Sequence, residues 1–356
     1  MTRTRLPWGW SESPQGADAA SFAAVLRLAR STLPGDLIDG RGWEWLAARA
    51  GRLPPEAADA MFGFECRLDQ GEAATDLLLS VPPAERFADA LIRDGAAAGP
   101  QAASLARLLS ELRQPRSPFA PVVDLVALEY DVSGVEDAPA PGVFLRSTAE
   151  CGYADPGLLT AAVALAAGWK EEPRERDTVA RVLAALPPGA AVRWAGAFPD
   201  RKERAVRLLV RALGDRAAAF LARIGWTGDT PAIGRIQAQM RAVGVDNCVL
   251  ALDVAAGRIG ARLGLELSRR GRTAGSWRRA LAMMTRNRWC LPERAEALGL
   301  ATRSERFFSP SGVSELHCGL HHVKLAVASD QRGGCTLGGG AAGAKGYVAC
   351  VLRPLS

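Results

Sequence analysis

Basic and phenolic side chains near the C-terminus of the sequence have a spacing that suits anion binding. One aliphatic residue separates His322 from Lys324, and one glycine separates Lys345 from Tyr347. Side chains two positions apart on an extended strand lie on the same face. Each pair would therefore present its polar groups together, the lysine as a point charge and the phenol as a hydrogen-bond donor. This chemistry fits a phosphate-like group.

Three arginines on other predicted strands extend the positive charge: Arg146, Arg207 and Arg262. If the strands converge, these guanidinium groups, the two lysines and Tyr347 would surround one anion, because arginine forks bind phosphate oxygens in pairs. The alternative is a structural network of ion pairs, in which the same cations are neutralised by Glu65, Asp76, Asp253 and Glu266. The residue types leave both interpretations open.

The elements that must position these residues recur along the chain. Five pairs of strand-like segments alternate polar and aliphatic residues, and amphipathic helical patterns lie between them at intervals of about 60 to 70 residues. The predicted strand pairs are 62–68 with 76–81, 122–131 with 142–148, 192–198 with 205–211, 248–254 with 261–267, and 316–327 with 345–352. The predicted helices are 19–33, 42–50, 83–93, 102–112, 157–167, 174–186, 231–243, 277–284 and 292–300.

This order predicts an α+β fold of five ααββ repeats. The aliphatic face of each strand must be buried, and the helices are available to cover it. Ten strands form a sheet that is too wide to stay open and strongly twisted, and closure removes both edges. We therefore predict a ten-stranded antiparallel β-barrel with helices outside and a polar lumen. It would be a single domain over residues 1–356, with 1–18 as a flexible N-terminus. The alternative is an open sheet whose charged face meets water.

Composition and charge narrow the partners. The net charge is +6, but the 44 basic residues are spread along the chain, which does not favour a nucleic-acid partner. The seven cysteines are scattered without a CxxC pair, which indicates a reducing compartment. The N-terminus lacks the apolar run of a signal peptide, and no stretch of eighteen apolar residues exists. We expect a cytoplasmic protein without a membrane or nucleic-acid partner.

The organisation resembles the ABBA or PT-barrel superfamily of aromatic prenyltransferases, which includes indole prenyltransferases and peptide-modifying enzymes of cyanobactin pathways. Lys345-Gly346-Tyr347 has the Lys-x-Tyr spacing that the family uses to hold a diphosphate. His322-Val323-Lys324 is similar to its Arg-x-Lys motif, with histidine in place of arginine. Glu65 in Gly63-Phe64-Glu65 is similar in position to the glutamate that acts as a base near the acceptor.

The resemblance implies transfer of an allylic group from a small isoprenoid diphosphate to an electron-rich acceptor. The acceptor would be an indole- or phenol-type small molecule or a peptide side chain in a tailoring pathway. The implied diphosphate-binding residues are Arg146, Arg207, Arg262, Lys324, Lys345 and Tyr347, with Glu65 as the catalytic base. The alternative is a non-catalytic PT-barrel protein that binds an anionic metabolite or a peptide.

The sequence departs from the family in its aromatic residues and offers no metal site. The family lines its lumen with several tyrosines, whereas this chain has three. Trp194 could shield a cation, although strand parity places it opposite Arg193 without showing which of the two points inward. Parity also places His321 and His322 on opposite faces, so they would not chelate one ion. We expect no tightly bound cofactor, and Mg²⁺, if it takes part, to enter with the diphosphate.

Overall fold

The computed structural model describes residues 21–70, 75–95, 97–131, 140–255, 257–268, 274–309, 312–329, 335–336 and 343–355. The predicted flexible segment 1–18 lies outside these residues. The helices are α1 (Phe22–Thr32), α2 (Gly40–Ala50), α3 (Arg86–Gly95), α4 (Pro100–Leu112), α5 (Pro156–Ala167), α6 (Pro173–Ala184), α7 (Ala217–Arg223), α8 (Thr230–Ala242), α9 (Ala274–Arg286) and α10 (Pro292–Leu300). The strands are β1 (Phe62–Arg67), β2 (Thr75–Val81), β3 (Val123–Tyr130), β4 (Gly142–Ser147), β5 (Ala191–Ala197), β6 (Val206–Arg211), β7 (Asn247–Ala255), β8 (Arg258–Ser268), β9 (Arg303–Ser309), β10 (Gly312–Ser329), β11 (Cys335–Thr336) and β12 (Ala344–Leu355).

Local sequence signals set the helix ends, as α5 illustrates. The Asp155 side chain accepts hydrogen bonds from the backbone N–H groups of Gly157 and Leu158, and proline occupies the first helical position. Gly168 ends the helix in the left-handed region with φ of 68°, where a side chain would be strained. The helix therefore starts and stops where its own residues satisfy the free backbone groups.

The strands form one antiparallel sheet that closes on itself. Strands β1 to β8 pair in chain order, β12 pairs with both β1 and β10, and β10 pairs with β8. The ring contains ten strands, because β9 and β11 pair only with β10 and stand outside it. The predicted α+β fold, with a closed ten-stranded antiparallel barrel, is confirmed. No helix in the described ranges is long and apolar enough to cross a membrane.

The aliphatic face of the barrel packs against the helices, as β1 shows. The ring of Phe62 lies 5.4 Å from that of Phe22 in α1, and the ring of Phe64 lies 5.6 Å from that of Trp43 in α2. Burial of each such side chain stabilises the fold by about 1.5–3 kcal/mol. Glu65, which follows Phe64, faces the interior of the barrel. The apolar core therefore lies outside the barrel wall and the ionic groups lie inside it.

Three strands carry one extra residue that interrupts the regular pairing with a neighbour. These β-bulge residues are Asp124 in β3, Arg193 in β5 and His321 in β10. A bulge places two consecutive side chains on the same side of the sheet, which a regular strand cannot do. All three extra residues are polar, so each bulge adds a polar group to the wall.

Helix α7 and strands β9 and β11 were not predicted from the sequence. Helix α7 has only seven residues, too few for a clear helical period. Strand β9 pairs with the first part of β10, which begins at Gly312 rather than at the predicted Leu316. Strands β9 and β11 lengthen the last unit of the chain, whereas α7 lies between β6 and β7, and none of the three alters the ring of ten strands.

Candidate active site

The barrel encloses a cavity that is lined by inward-facing side chains from most strands. It offers about 230 Å³ to the centres of water molecules. Four of the residues predicted for the site line it, namely Glu65, Arg207, Lys324 and Tyr347. The other three do not line it: Lys345 and Arg146 are engaged in ion pairs in the wall, and Arg262 is exposed near the start of β8. The structure thus brings together part of the predicted set.

Two lysines and three carboxylates form one cluster on the inner face of the barrel. Lys345 Nζ lies 2.9 Å from Glu65 Oε2 and 2.6 Å from Asp76 Oδ2. Lys324 Nζ lies 3.5 Å from Glu65 Oε1 and 3.7 Å from Glu266 Oε1. Glu65 and Asp76 are only 3% and 4% exposed. The two ammonium groups are therefore already neutralised by carboxylates of the wall.

The pKa values of the two buried acids in this cluster are shifted in opposite directions. Burial alone would raise the pKa of Glu65, but the charges of Lys324 and Lys345 outweigh it and hold this pKa well below its ordinary value. For Asp76 burial outweighs the attraction of Lys345, and its pKa is raised. The same carboxylates raise the pKa of both lysines in spite of their burial. Glu65 is consequently ionised near neutral pH and has little tendency to accept a proton.

Two arginines from the predicted set are each held by one aspartate. Arg207 donates to both carboxylate oxygens of Asp253, at 2.7 and 2.8 Å. Arg146 does the same to Asp124, at 2.7 and 3.0 Å. Such two-point contacts fix the guanidinium plane. For Arg207, the hydrogen bond and charge of Asp253 raise the pKa despite burial. These contacts match the ion-pair network that the sequence left open as an alternative.

Glu129 of β3 is a buried acid that sequence reasoning missed. It is 6% exposed, lines the cavity, and has no hydrogen bond or ion pair among the described residues. Burial, followed by the charge of Glu65, raises its pKa from 4.5 to about 7. A carboxyl group with this pKa exchanges protons readily near neutral pH, which suits a general base or acid. The signal in the sequence is one glutamate in the otherwise apolar second half of Val123–Tyr130.

A divalent cation does not fit this acidic group. Carboxylate oxygens of Glu65, Asp76 and Glu129 lie within 4.8 Å of one another, which is close enough to hold an ion in principle. The ammonium of Lys345, however, already contacts two of the three carboxylates. A metal ion would have to displace this buried ammonium, so the cluster is charge-compensated by lysine rather than built for a metal.

Two further arginines line the cavity near the end of β6. Arg211 donates to the backbone oxygen and to Oε2 of Glu150, both at 2.5 Å, and Arg193 Nη2 lies 3.6 Å from Glu150 Oε1. The Glu150 side chain is 83% exposed, so water screens its attraction for both cations. Nearby Arg146 has a buried Nη1 without a hydrogen-bond partner. Only weak carboxylate contacts therefore compete with an incoming anion at Arg193 and Arg211.

Aromatic side chains also line the cavity. Trp194 and Phe144 do so from β5 and β4, and both Trp194 and Arg193 reach the cavity because of the bulge. Tyr347 stacks on His322 at 4.7 Å with an angle of 10° between the rings. The faces of such rings attract cations. Parity left the orientation of Trp194 and Arg193 open, and the bulge answers it by turning both inward.

The prediction that His321 and His322 lie on opposite faces is wrong. Both side chains line the cavity, and their Nδ1 atoms are 2.6 Å apart. His321 is the bulge residue of β10, and the extra position cancels the alternation on which the prediction rested. Burial lowers the pKa of His322 below its ordinary value. The short contact fits one N–H group donating to the other ring nitrogen, which requires at least one neutral imidazole.

The charges divide the lumen into two regions. We call the first the carboxylate-rich end: Glu65, Asp76, Glu129, Asp253 and Glu266 with Lys324, Lys345 and Arg207. We call the second the arginine end: Arg146, Arg193 and Arg211 with Asp124 and Glu150. With all groups ionised, the first has five carboxylates for three cations, and the second has three cations for two carboxylates. On β6 the two regions are four residues apart, or about 13 Å along the strand.

The closed ten-stranded antiparallel barrel with helices outside fits the ABBA, or PT-barrel, architecture. No protein-family model matches the sequence, and no curated protein matches it. Among solved structures, it is similar to 5-dimethylallyl tryptophan synthase from Streptomyces coelicolor, determined in complex with DMASPP and Trp, with 18% identity, 93% of each chain covered and a TM-score of 0.48. It is also similar to AnaPT from Neosartorya fischeri, with 10% identity, 88% of each chain covered and a TM-score of 0.47. These identities are too low to transfer either protein's activity to this chain.

Proposed function

We propose that this protein transfers an allylic group from a small isoprenoid diphosphate to an electron-rich acceptor inside the barrel. The observation that carries the proposal is one enclosed cavity with weakly compensated arginines at one end, aromatic rings in its wall and an unpaired glutamate at the other end. Transfer of an allylic cation needs these three parts: a cationic site for the leaving group, a wall that protects the cation, and a proton acceptor.

The diphosphate would bind at the arginine end. Arg193 and Arg211 offer guanidinium groups whose common carboxylate partner is largely in water, so phosphate oxygens can replace it. Arg207 and Lys324 line the cavity as predicted, but their carboxylate partners reduce the charge that they offer. Positive charge around the bridging oxygen stabilises the negative charge that develops as diphosphate leaves.

Each bond and each proton in the proposed transfer step can be assigned to a group in the cavity. The bond between the allylic carbon and the diphosphate oxygen breaks, and the electron pair leaves with the oxygen. Trp194, Phe144 and Tyr347 would face the resulting cation, whose charge their ring faces stabilise. The acceptor then forms its new bond to the allylic carbon and loses a proton. Glu129 would take this proton in its ionised form, because its pKa of about 7 is matched to the task.

Glu65, the base implied by the resemblance, remains a candidate for the same step. Its contacts with two lysines hold its pKa low, which makes it the weaker base of the two glutamates. Glu65 is better suited to holding Lys324 and Lys345 in place beside the acceptor. Comparison of Glu65→Gln with Glu129→Gln separates the roles, since loss of the true base lowers kcat with little change in diphosphate binding.

A second candidate function is non-catalytic binding of an anionic metabolite or a peptide. The observation in its favour is that Lys324, Lys345 and Arg207 are already neutralised by carboxylates. In that case the arginine end would hold a ligand anion without any bond being broken. The two functions share a binding site and differ in whether diphosphate is released.

The experiment measures two quantities: binding of the isoprenoid diphosphate and release of pyrophosphate. The protein is mixed with dimethylallyl or geranyl diphosphate, and protection against thermal unfolding is measured before indole- and phenol-type acceptors are added. We expect a rise in Tm with either diphosphate, followed by release of inorganic pyrophosphate with an acceptor. Protection without release would favour the binding function, and absence of both would reject the transfer of an allylic group.

Arg211→Gln is the variant that tests the arginine end, and Arg223→Gln is its control. Arg211 lines the cavity, whereas Arg223 is exposed on α7. Removal of one of two charged contacts to phosphate should weaken diphosphate binding by about 1.5–3 kcal/mol, which is at least tenfold. Unchanged affinity in Arg211→Gln would place the diphosphate elsewhere in the lumen.

A further inference from the structure

Glu129 is a buried carboxyl group without a partner, aimed into a cavity. It is 6% exposed, and no hydrogen bond or ion pair reaches it from the described residues. A buried polar group is ordinarily paired, because an unpaired one loses its interactions with water. Glu129 has no such protein partner in the described part of the chain, and its side chain lines the space where a ligand would lie.

The surroundings of Glu129 favour a positively charged partner. The charged groups that act on it are Glu65, Asp76, Lys324, Lys345 and Arg207, contributed by five different strands. The three cations among them are engaged with carboxylates: Lys345 with Glu65 and Asp76, Lys324 with Glu65 and Glu266, and Arg207 with Asp253. If Glu129 is ionised, this region therefore has an excess of negative charge. A bound cation would remove that excess, whereas an anion would increase it.

We propose that the acceptor carries a protonated nitrogen, an ammonium or guanidinium group, which Glu129 binds inside the barrel. This inference rests on the proposed function in calling the ligand an acceptor. The contact between Glu129 and a cation does not require that any group be transferred. Phe144 and Tyr347 line the same cavity, so an aromatic ring joined to the charged nitrogen by a short chain suits it. A carboxylate oxygen of Glu129 can accept a hydrogen bond from the charged nitrogen, which places the acceptor ring beside Phe144 and Tyr347.

The contact predicts how the affinity for a charged ligand depends on pH. Free Glu129 has a pKa of about 7, because burial and Glu65 disfavour its charge. A bound cation favours the ionised form, so the proton must leave when the ligand binds. Between pH 6 and pH 8 the ionised fraction of a group with this pKa rises about tenfold, and the affinity for a permanently charged ligand should rise by the same factor. A neutral ligand should show no such rise.

The test uses two probes that share one ring system: tryptamine, which carries an ammonium, and tryptophol, which carries a hydroxyl in its place. Affinities of the full-length protein for each probe are measured by calorimetry at pH 6, 7 and 8 without any diphosphate. We expect tryptamine to bind more tightly than tryptophol at pH 8 and its affinity to rise about tenfold from pH 6. Measurements at pH 7 in buffers of different ionisation enthalpy should show release of close to half a proton, the share of Glu129 that is protonated before binding.

The variant Glu129→Gln should remove both effects, and Glu203→Gln, whose side chain is 64% exposed, should keep them. Equal affinities for the two probes, a pH-independent affinity for tryptamine, or persistence of the pH dependence in Glu129→Gln would each overturn the proposal. Failure of both probes to bind would also overturn it. None of these results depends on turnover, so pyrophosphate release decides the proposed transfer separately.

Discussion

Replacement of Lys345 by methionine tests how much the ion cluster around this lysine contributes to the stability of the barrel. Lys345 Nζ contacts Glu65 at 2.9 Å and Asp76 at 2.6 Å, and both carboxylates are nearly inaccessible to water. Methionine keeps much of the length of the side chain and removes the charge. Removal of one partner from a buried ion pair costs about 3–5 kcal/mol, because the remaining charge has no compensation. We expect this loss in the free energy of unfolding at pH 7.

The expected shift in melting temperature follows from the size of the protein. At about 2.1 cal/mol/K per residue, the entropy of unfolding of 356 residues is roughly 0.75 kcal/mol/K. A loss of about 3–5 kcal/mol then lowers Tm by about 4–7 °C. Urea unfolding followed by circular dichroism gives the free energy, and calorimetry gives Tm. Lys202→Met, which changes an exposed lysine in a loop, is the matched control and should leave both unchanged.

The pH dependence separates lost charge compensation from poor packing. Without the ammonium, the folded-state pKa of Asp76 should lie further above its unfolded value, since burial raises it and Lys345 is the cation that opposes this. A carboxyl group with a raised folded pKa is least destabilising below its unfolded pKa and costs stability as pH rises. The difference between wild type and Lys345→Met should therefore shrink from pH 7 to pH 5. A loss below about 1 kcal/mol, typical of exposed ion pairs, or a difference that does not vary with pH would refute the reasoning.

Three further substitutions test other parts of the barrel. Glu129→Gln should be more stable than wild type at pH 8 by up to about 3 kcal/mol. The reason is that the pKa of Glu129 is about 7 in the folded protein and 4.5 without burial, and each pKa unit costs the wild type about 1.36 kcal/mol once the group is ionised. Urea unfolding near pH 4.5, where Glu129 is protonated in the folded protein, should show no gain. Asp253→Asn should lower the free energy of unfolding by about 3–5 kcal/mol, because Arg207 loses its carboxylate partner. Asp131→Asn, which removes the partner of the more exposed Arg201, is the control, and an equal loss in the two variants would contradict this. Gly63→Ala should cost about 1–3 kcal/mol and displace Tyr347, since the added carbon would lie 2.8 Å from the Tyr347 hydroxyl; an unchanged Tm would contradict the close approach.

The barrel could be predicted from the sequence because its signal repeats. Alternation of aliphatic and charged residues, as in Arg262 to Leu267, marks one face for burial, and helices of similar length follow at a regular interval. The pairing of Lys345 with Asp76 could not be predicted in the same way. These residues are 269 positions apart and meet only because β12 and β2 both flank β1 in the closed ring. Alternation shows which side chains face inward, not which of them touch.

The candidate site was predicted least well where the strands are irregular. Alternation assigns Arg193 and Trp194 to opposite faces, as it does His321 and His322, and one extra residue reverses this for one member of each pair. The bulge depends on the register of the neighbouring strand, which no local pattern records. Glu129 was overlooked for a different reason, since a single acid in an apolar strand resembles a solvent-facing residue until the barrel closes around it.

The bulges also give this barrel a simple way to change. Val192 and Ala195 both stay in the apolar core although two inward-facing residues lie between them, so the extra residue adds a lumen group without shifting the outer face. Insertion or deletion of a single codon at such a position would alter the charge of the lumen while the helices keep their contacts. Two homologous barrels could therefore differ in substrate through strand length alone, and an alignment scored by substitutions would record the decisive difference as a gap.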